Sequence, residues 1–427
     1  MGFRLPKIEQ LLLGQNHFRG SIPESLFNAS SIQFLDLPSN QFQGSIPLLR
    51  NMNRLIHLNL GLNNLSSTTE QNFHFFESLS NCTQLQDLIL NSNQLSGELP
   101  HSLSNLSTVL IRFCIDNNLF TGSFPIGIEK FQNLMTMSIE RNFLTGPLPH
   151  SIGALHNLQL LSLHINNFFG EIPDVFGNLT KLFELTMGAN QFSGKIPTTI
   201  GQCQRLSKLD LAWNSLVGTI PMEIFRLPIL NYLYLARNYL NGSLPIELGS
   251  MTKLEFMDIS DNRFSGNLPE TIQGCISMRF LNLSRNNLTV FIPNSVGKLI
   301  ALESLDLSLN NLSGPIPDNL EKISALQKLN LSFNDLEGQV PRNGVFINLE
   351  WDSFQGNSKL CGNDKDAAQR LKVPECSTRR KSSRHLSLKI IIVLVSSIVF
   401  TSAMFLIWVL IFLKKKKMHR GISSHSI

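Results

Sequence analysis

The sequence predicts an α/β solenoid, a superhelix of short stacked coils with a parallel β-sheet on its concave side, followed by one transmembrane helix. Three observations predict it. Asparagine returns every 24 residues in the frame L-x-L-x-x-N-x-L-x-G-x-I-P, in register at Asn118, Asn142, Asn166, Asn190, Asn214, Asn238, Asn262, Asn286, Asn310 and Asn334. Asn16, Asn40, Asn63 and Asn93 precede them at steps of 24, 23 and 30. A fixed period of this length marks stacked repeats, because one coil cannot bury its own apolar edge. Second, the residues before each Asn alternate apolar and polar, the period of a half-buried strand. Third, Ile390 to Leu413 is a run of 24 residues without a charge.

One coil shows the local logic. In Leu209-Asp210-Leu211-Ala212-Trp213-Asn214 the leucines point into the coil and Asp210 points out. Asn214 stands where the chain turns off the strand, and its amide can donate to and accept from backbone groups of its own coil and the next. Gly218 relieves a tight backbone position, and Pro221 ends any further ladder on the convex side. Pro follows Gly-x-Ile or a close variant in twelve repeats, from Gly20-Ser-Ile22-Pro23 to Gly338-Gln-Val340-Pro341; Val290-Phe-Ile292-Pro293 keeps the Pro and loses the Gly. The long step between Asn63 and Asn93 holds Ser66 to Thr83, too short for an inserted domain, and reads as a longer convex loop.

This frame resembles the plant-type leucine-rich repeat over residues 5 to 341. The stretch from Ser66 to Thr83, with Asn105-Leu106-Ser107, is similar to the plant receptor-kinase subfamily that contains the bacterial elongation-factor and flagellin receptors and the rice bacterial-blight receptors. The segment from Val340 through Gly344-Val-Phe346 to Cys376 resembles the C-terminal cap of the same subfamily. The resemblance implies a peptide or pathogen-derived ligand on the concave repeat face. It also implies a co-receptor kinase docking near the C-terminal repeats.

The organisation expected is leucine-rich repeats over 1–340, a cap with paired cysteines over 341–378, a basic juxtamembrane stretch over 379–389, the span over 390–413 and a short cytoplasmic tail over 414–427. A net charge of +5 says little about nucleic acid, because ten of the basic residues flank the apolar run. Arg379, Arg380, Lys381, Arg384 and Lys389 precede it; Lys414, Lys415, Lys416, Lys417 and Arg420 follow. Without them the rest is acidic, so no nucleic-acid partner is expected, and the flanks read as membrane-surface charges.

At 1.5 Å per residue the apolar run spans roughly 36 Å, enough to cross ~30 Å of hydrocarbon with some tilt. Lys414 to Lys417 would stop transfer. Lys and Arg are balanced on the two sides, so charge alone does not orient the span. Ten N-x-S/T sequons precede it, at Asn28, Asn64, Asn81, Asn105, Asn178, Asn241, Asn282, Asn287, Asn311 and Asn330. With the paired-cysteine cap they place the repeats outside the cell, in a single-pass plasma-membrane glycoprotein.

The six cysteines divide into two kinds. Cys82, Cys203 and Cys275 share one convex phase and read as small buried side chains; Cys114 reads as an exposed thiol on the concave side. Cys361 and Cys376 follow the last coil, whose apolar edge needs a cap. A disulfide there would close a loop of about 15 residues, worth on the order of 3 kcal/mol. A zinc site is the weaker alternative, with no His at ligand spacing; no metal or cofactor is expected.

The chain starts Met1-Gly-Phe-Arg-Leu-Pro6 inside a repeat, with no apolar signal region and no N-terminal cap. After Leu413 there is no Gly-rich loop, H-R-D or D-F-G, so the chain as given is expected to be non-enzymatic. We expect a truncated reading of a longer gene or a truncated paralogue, whose membrane insertion lacks an evident leader.

The candidate ligand residues are Trp213, Tyr232, Tyr234, Arg237, Phe256 and Asp258, from adjacent coils of the concave face, with Asp261, Phe280 and Arg285 nearby. Aromatic and Arg side chains are the usual anchors of interfaces. Packing between neighbouring coils is the competing explanation for the column of Phe34, Tyr232, Phe256 and Phe280. Asp36, Asp210, Asp258 and Asp306 share another outward column; they recur because it is solvated, and they do not mark acid–base chemistry. The expected function is recognition by a membrane-anchored, kinase-less receptor that signals through a co-receptor or sequesters ligand as a decoy. A fragment of a full-length Ser/Thr receptor kinase and a hydrolase-inhibitor-like binding protein are the alternatives.

Overall fold

The computed structural model describes residues 7–124, 127–376 and 383–420. The chain forms two units, Met1–Glu375 and Cys376–Ile427. In the first, among the described residues, 14 strands from Gln10–Leu12 to Lys328–Asn330 pair in sequence order into one parallel sheet. Every pairing is in register, so Leu209 lies beside Leu185 on one side and Leu233 on the other. These central residues are fully buried and form a continuous leucine core.

The asparagine ladder closes each coil onto its neighbour. Asn214 Nδ2 donates to the carbonyls of Leu211 and Ala212 in its own coil at 3.1 and 3.2 Å, and to Met187 of the coil before at 3.1 Å. Its Oδ1 accepts the N–H of Phe192 at 2.9 Å. One amide thereby satisfies four backbone groups that the bend would leave orphaned. The bend itself is sharp: all fourteen residues that immediately precede a ladder Asn, from Gln15 to Phe333, are non-glycine residues in the left-handed region.

The ladder runs one rung further than the repeat frame. Asn357 Nδ2 donates to Leu331 and Phe354 carbonyls at 3.0 Å, and its Oδ1 accepts from Leu336 N at 3.0 Å. Strand Lys359–Cys361 then pairs with Asp335–Gln339. Helix Lys365–Leu371, capped by Asp364, covers the end and buries Ala368 and Leu371. Arg370 bonds the carbonyls of Phe346, Ile347 and Leu349. Cys361 and Cys376 are both disulfide-bonded.

Prolines do more than stop a ladder. Nine of them, among the described residues, are the N-caps of short 3-10 helices on the convex side, such as Pro221 before Met222–Arg226. The fixed φ of proline suits that position. Short parallel ladders, such as Tyr239–Gly242 beside Arg263–Gly266, lie between the asparagine and the proline. Several of them end at glycines with positive φ, +82° at Gly218. Two repeats lack the glycine, those of Asn63 and Asn286; in the second, Val290 carries the same bend at φ 69°, a strained conformation for a β-branched residue.

The stretch from Ser66 to Thr83 is not a longer loop. Thr69–Leu79 is an α-helix, opened by a capping box in which Gln71 N donates to Thr68 Oγ1 and Thr68 N donates to Gln71 Oε1. Phe75, Phe76 and Leu79 are buried. The six extra residues are accommodated as helix because Thr-x-x-Gln starts it and an apolar face docks it.

The second unit contributes helix Ser383–Arg420. Within it Leu394–Lys415 has mean hydropathy 2.4 with no residue buried, and it is long and apolar enough to cross a membrane.

Candidate functional site

Four adjacent concave strands build the candidate surface: Lys208–Asp210, Tyr232–Tyr234, Phe256–Asp258 and Phe280–Asn282. Their register places Tyr232, Phe256 and Phe280 in one column, and Asp210, Tyr234, Asp258 and Asn282 in the next outward column. Strands repeat at about 4.8 Å, so rings in one column are forced face to face. Tyr232 and Phe256 stack at 5.0 Å and 21°, Phe256 and Phe280 at 4.4 Å and 13°. Tyr232 and Tyr234 lie on the same face, 6.5 Å apart. The Arg279 guanidinium lies 5.9 and 5.7 Å from the Phe256 and Phe280 centroids and is fixed by Glu303 at 2.7 Å. All three rings of the stack are half-buried. They pack against each other and still present edges to solvent, which joins the two explanations offered by the sequence.

Trp213 and Arg237 are not on the strands. Each occupies the left-handed turn just before a ladder asparagine, at φ 57° and 55°, and so leans out from the sheet edge. Trp213 is 53% exposed. The Arg237 guanidinium stacks over it at 3.7 Å and faces Asp261 at 3.6 Å. Among the described residues no ring contact or hydrogen bond links this pair to Tyr232 or Tyr234. The six candidate residues therefore form two adjacent groups, an aromatic stack on the sheet and a cation–aromatic pair on its rim.

Asp258 is committed locally. Its Oδ1 accepts from Ser260 N at 3.0 Å and from Ser260 Oγ at 2.6 Å. Asp210 and Asp306 likewise accept from the N–H two residues on, at 3.0 and 2.9 Å. Three members of the acidic column, Asp210, Asp258 and Asp306, close the turn after their strands, whereas Asp36, followed two residues on by Pro38, accepts from Asn59 instead. Burial pushes the Asp210 carboxyl and the Tyr234 phenol above their usual ranges. Beside Asp210 lies a polar cavity of about 430 Å³ whose walls include Glu140, Ser162, His164, Glu184 and Lys208.

A charged chain on the first coils escaped sequence reasoning. His57 Nδ1 faces Asp87 Oδ2 at 3.0 Å and its Nε2 faces Asp36 Oδ1 at 3.3 Å, while Arg112 holds Asp87 at 2.6 and 2.9 Å. Asn59 Nδ2 donates to Asp36 at 2.7 Å, and Phe34 stacks on the imidazole. The signal was available: His57, Asp87 and Arg112 share one strand phase once the uneven steps are aligned. The hydrogen bond to Asp87 raises the His57 pKa, against the effect of burial. Burial pushes the Asp87 carboxyl up, but Arg112 and His57 outweigh it and hold it below the usual range. A raised histidine pKa contributes stability that is full below about 6.5 and is lost as pH rises through the folded-state value. Wild type should therefore exceed His57→Gln in melting temperature at pH 5, with the gap closing by pH 8; a constant gap would contradict the pairing.

Cys114 is half-buried, not exposed, and burial pushes its thiol up to about 12. Cys82, Cys203 and Cys275 are buried and donate to carbonyls of the preceding coil at 3.3, 3.2 and 3.1 Å.

The leucine-rich-repeat family models match residues 84–106, 157–179, 204–264 and 276–336. These matches and the 14-stranded parallel sheet show a leucine-rich-repeat fold. The chain's repeats are 31% identical over 143 residues to Receptor-like protein 41 of Arabidopsis thaliana, a match covering 29% of this chain and 16% of that protein. They are 49% identical over 63 residues to Receptor kinase-like protein Xa21 of Oryza sativa subsp. japonica, covering 14% of this chain and 6% of that protein. Among solved structures, the plant peptide hormone receptor RGFR1 in complex with RGF2 superposes with a TM-score of 0.70 at 32% identity, over 79% of this chain and 57% of that one. The matches thus span less than one fifth of the curated relatives' lengths.

Proposed function

We propose that this leucine-rich-repeat protein is a cell-surface recognition receptor that binds an extended peptide along the concave strands from Lys208 to Asn282. The repeats face outward and helix Leu394–Lys415 spans the plasma membrane. The observation that carries the reading is the continuous half-buried stack of Tyr232, Phe256 and Phe280, rimmed by Trp213 and Arg237, on an open parallel sheet. Rigid aromatic anchors next to paired Arg side chains are what hot spots of interfaces are made of. The printed names of the relatives, a receptor-like protein, a receptor kinase-like protein and a peptide hormone receptor with its hormone, support the same reading. Signal output then passes through a co-receptor kinase recruited by the loaded face, or the chain sequesters ligand as a decoy.

Selecting a library of linear peptides against the detergent-solubilised full chain tests the proposal. Enrichment of peptides that bind in the micromolar range or tighter is expected. Failure to enrich any sequence over a scrambled control would overturn it.

A further inference from the structure

We infer that Asn282 carries an N-linked oligosaccharide that rises from the concave face and sets the C-terminal edge of the ligand-accessible sheet; this rests on the extracellular reading of the repeats. The argument begins with what the fold needs at that position. In strand Phe280–Asn282 the third residue shares a column with Asp210, Asp258, Asp306 and Asn330. At each of these the side-chain Oδ1 accepts the N–H two residues on, at 3.0 Å for Asp210, 3.1 Å for Asn282 and 3.2 Å for Asn330. The turn uses one oxygen, which aspartate supplies as well as asparagine. The amide nitrogen is surplus to the fold.

Elsewhere that surplus nitrogen is occupied. Asn59 Nδ2 donates to Asp36 at 2.7 Å and Asn330 Nδ2 to Asp306 at 3.2 Å. Every ladder asparagine has its nitrogen engaged, as Asn286 does with Ile259, Leu283 and Ser284. Among the described residues, Asn282 Nδ2 makes no hydrogen bond, and its side chain is half-buried and points out of the sheet. It stands in the acceptor sequence Asn282-Leu283-Ser284. A neutral residue between Asp258 and Asp306 also avoids like-charge repulsion, a need that Tyr234 meets between Asp210 and Asp258 without offering an amide.

The chemistry leaves the turn intact. Nδ2 forms a bond to the anomeric carbon of a lipid-linked oligosaccharide, the bond from that carbon to the pyrophosphate oxygen breaks, and Nδ2 gives up one proton as the pyrophosphate leaves. Oδ1 is untouched and keeps Ser284 N and Oγ at 3.1 and 2.8 Å. Phe280 lies on the same face two residues earlier, about 7 Å away. A ligand running along the stack from Tyr232 therefore meets sugar at the strand of Phe280, which stops it there and keeps it off Ser304–Asp306.

The test uses the full chain, sent into the secretory pathway of plant cells by a cleavable leader. Trypsin cuts after Arg279 and Arg285, so the peptide of residues 280–285 contains this acceptor site alone. Enzymatic glycan release in heavy-oxygen water converts each glycosylated Asn into labelled Asp, which mass spectrometry reads. Label at Asn282 in most molecules is expected, together with label at exposed sites such as Asn64 and Asn311. Label at those sites with none at Asn282 would overturn this inference and leave the extracellular reading standing; no label anywhere would overturn both. Ser284→Ala removes the acceptor sequence and retains the backbone N–H that closes the turn. It should remove one glycan, cost no more stability than the one hydrogen bond from Ser284 Oγ, and extend the footprint of bound library peptides past Phe280 to Ser304–Asp306. An unchanged footprint would overturn the edge.

Discussion

Replacing Asn238 with alanine is expected to destabilise the solenoid by roughly 3 kcal/mol or more, since several buried backbone groups lose their partner at ~1–3 kcal/mol each. Asn238 Nδ2 donates to Leu211, Leu235 and Ala236 carbonyls at 3.0, 3.2 and 3.4 Å, and Oδ1 accepts from Leu216 N at 2.9 Å. The residue is 6% exposed, so water does not readily replace those bonds. The left-handed turn at Arg237 depends on the same amide. Because coils in a solenoid contact only their neighbours, the damage should be local first. Native-state hydrogen exchange is the suitable readout: the Leu216 amide and those of the two flanking coils should exchange much faster, and coils near the cap should not. Asn241→Ala, an exposed control three residues on, should change stability by less than about 0.5 kcal/mol. Equal exchange in the two variants would show that the ladder is not what holds the coils.

Tyr232→Ala should weaken library-selected peptides by about 30-fold or more, the loss of ~2 kcal/mol that marks a hot-spot aromatic. Truncation removes the first ring of the stack and uncovers one face of Phe256. Tyr232→Phe keeps the ring and is the control for folding. Trp213→Ala tests the rim separately. Its side chain is mostly exposed and stacks under Arg237, so stability should hold while affinity falls. If Trp213→Ala and Tyr232→Ala both leave affinity within twofold, the peptides bind elsewhere.

The fold was legible because each coil repeats the same sentence: leucine at the strand centre, asparagine at the bend, glycine and proline on the way to the convex side. The frame says little where a coil departs from it. Thr68 and Gln71 spell a helix start, but the extra residues between Asn63 and Asn93 hide them inside an apparent loop. Asn357 continues the ladder beyond Pro341, the last proline of the repeat frame, where Phe354-Gln-Gly-Asn357 no longer looks like a repeat. The site was half legible. Aromatic residues at Tyr232, Tyr234 and Phe256 are visible as outward positions, whereas the role of Asp258 depends on a hydrogen bond to Ser260 that spacing alone does not reveal. Trp213 looked like a strand neighbour because its left-handed φ is a property of the turn and not of tryptophan. Cys114 is half-buried where exposure was expected; in register it lies between Ile89 and Ser138 of the flanking strands.

The most direct measurement of the central claim is the hydrogen-exchange footprint of a library-selected peptide on the full chain. Slowed exchange confined to concave segments between Lys208 and Asn282, and lost in Tyr232→Ala, is the predicted result. Protection confined to the convex 3-10 helices, or spread over coils outside 208–282, would contradict the assignment of this face as the ligand surface.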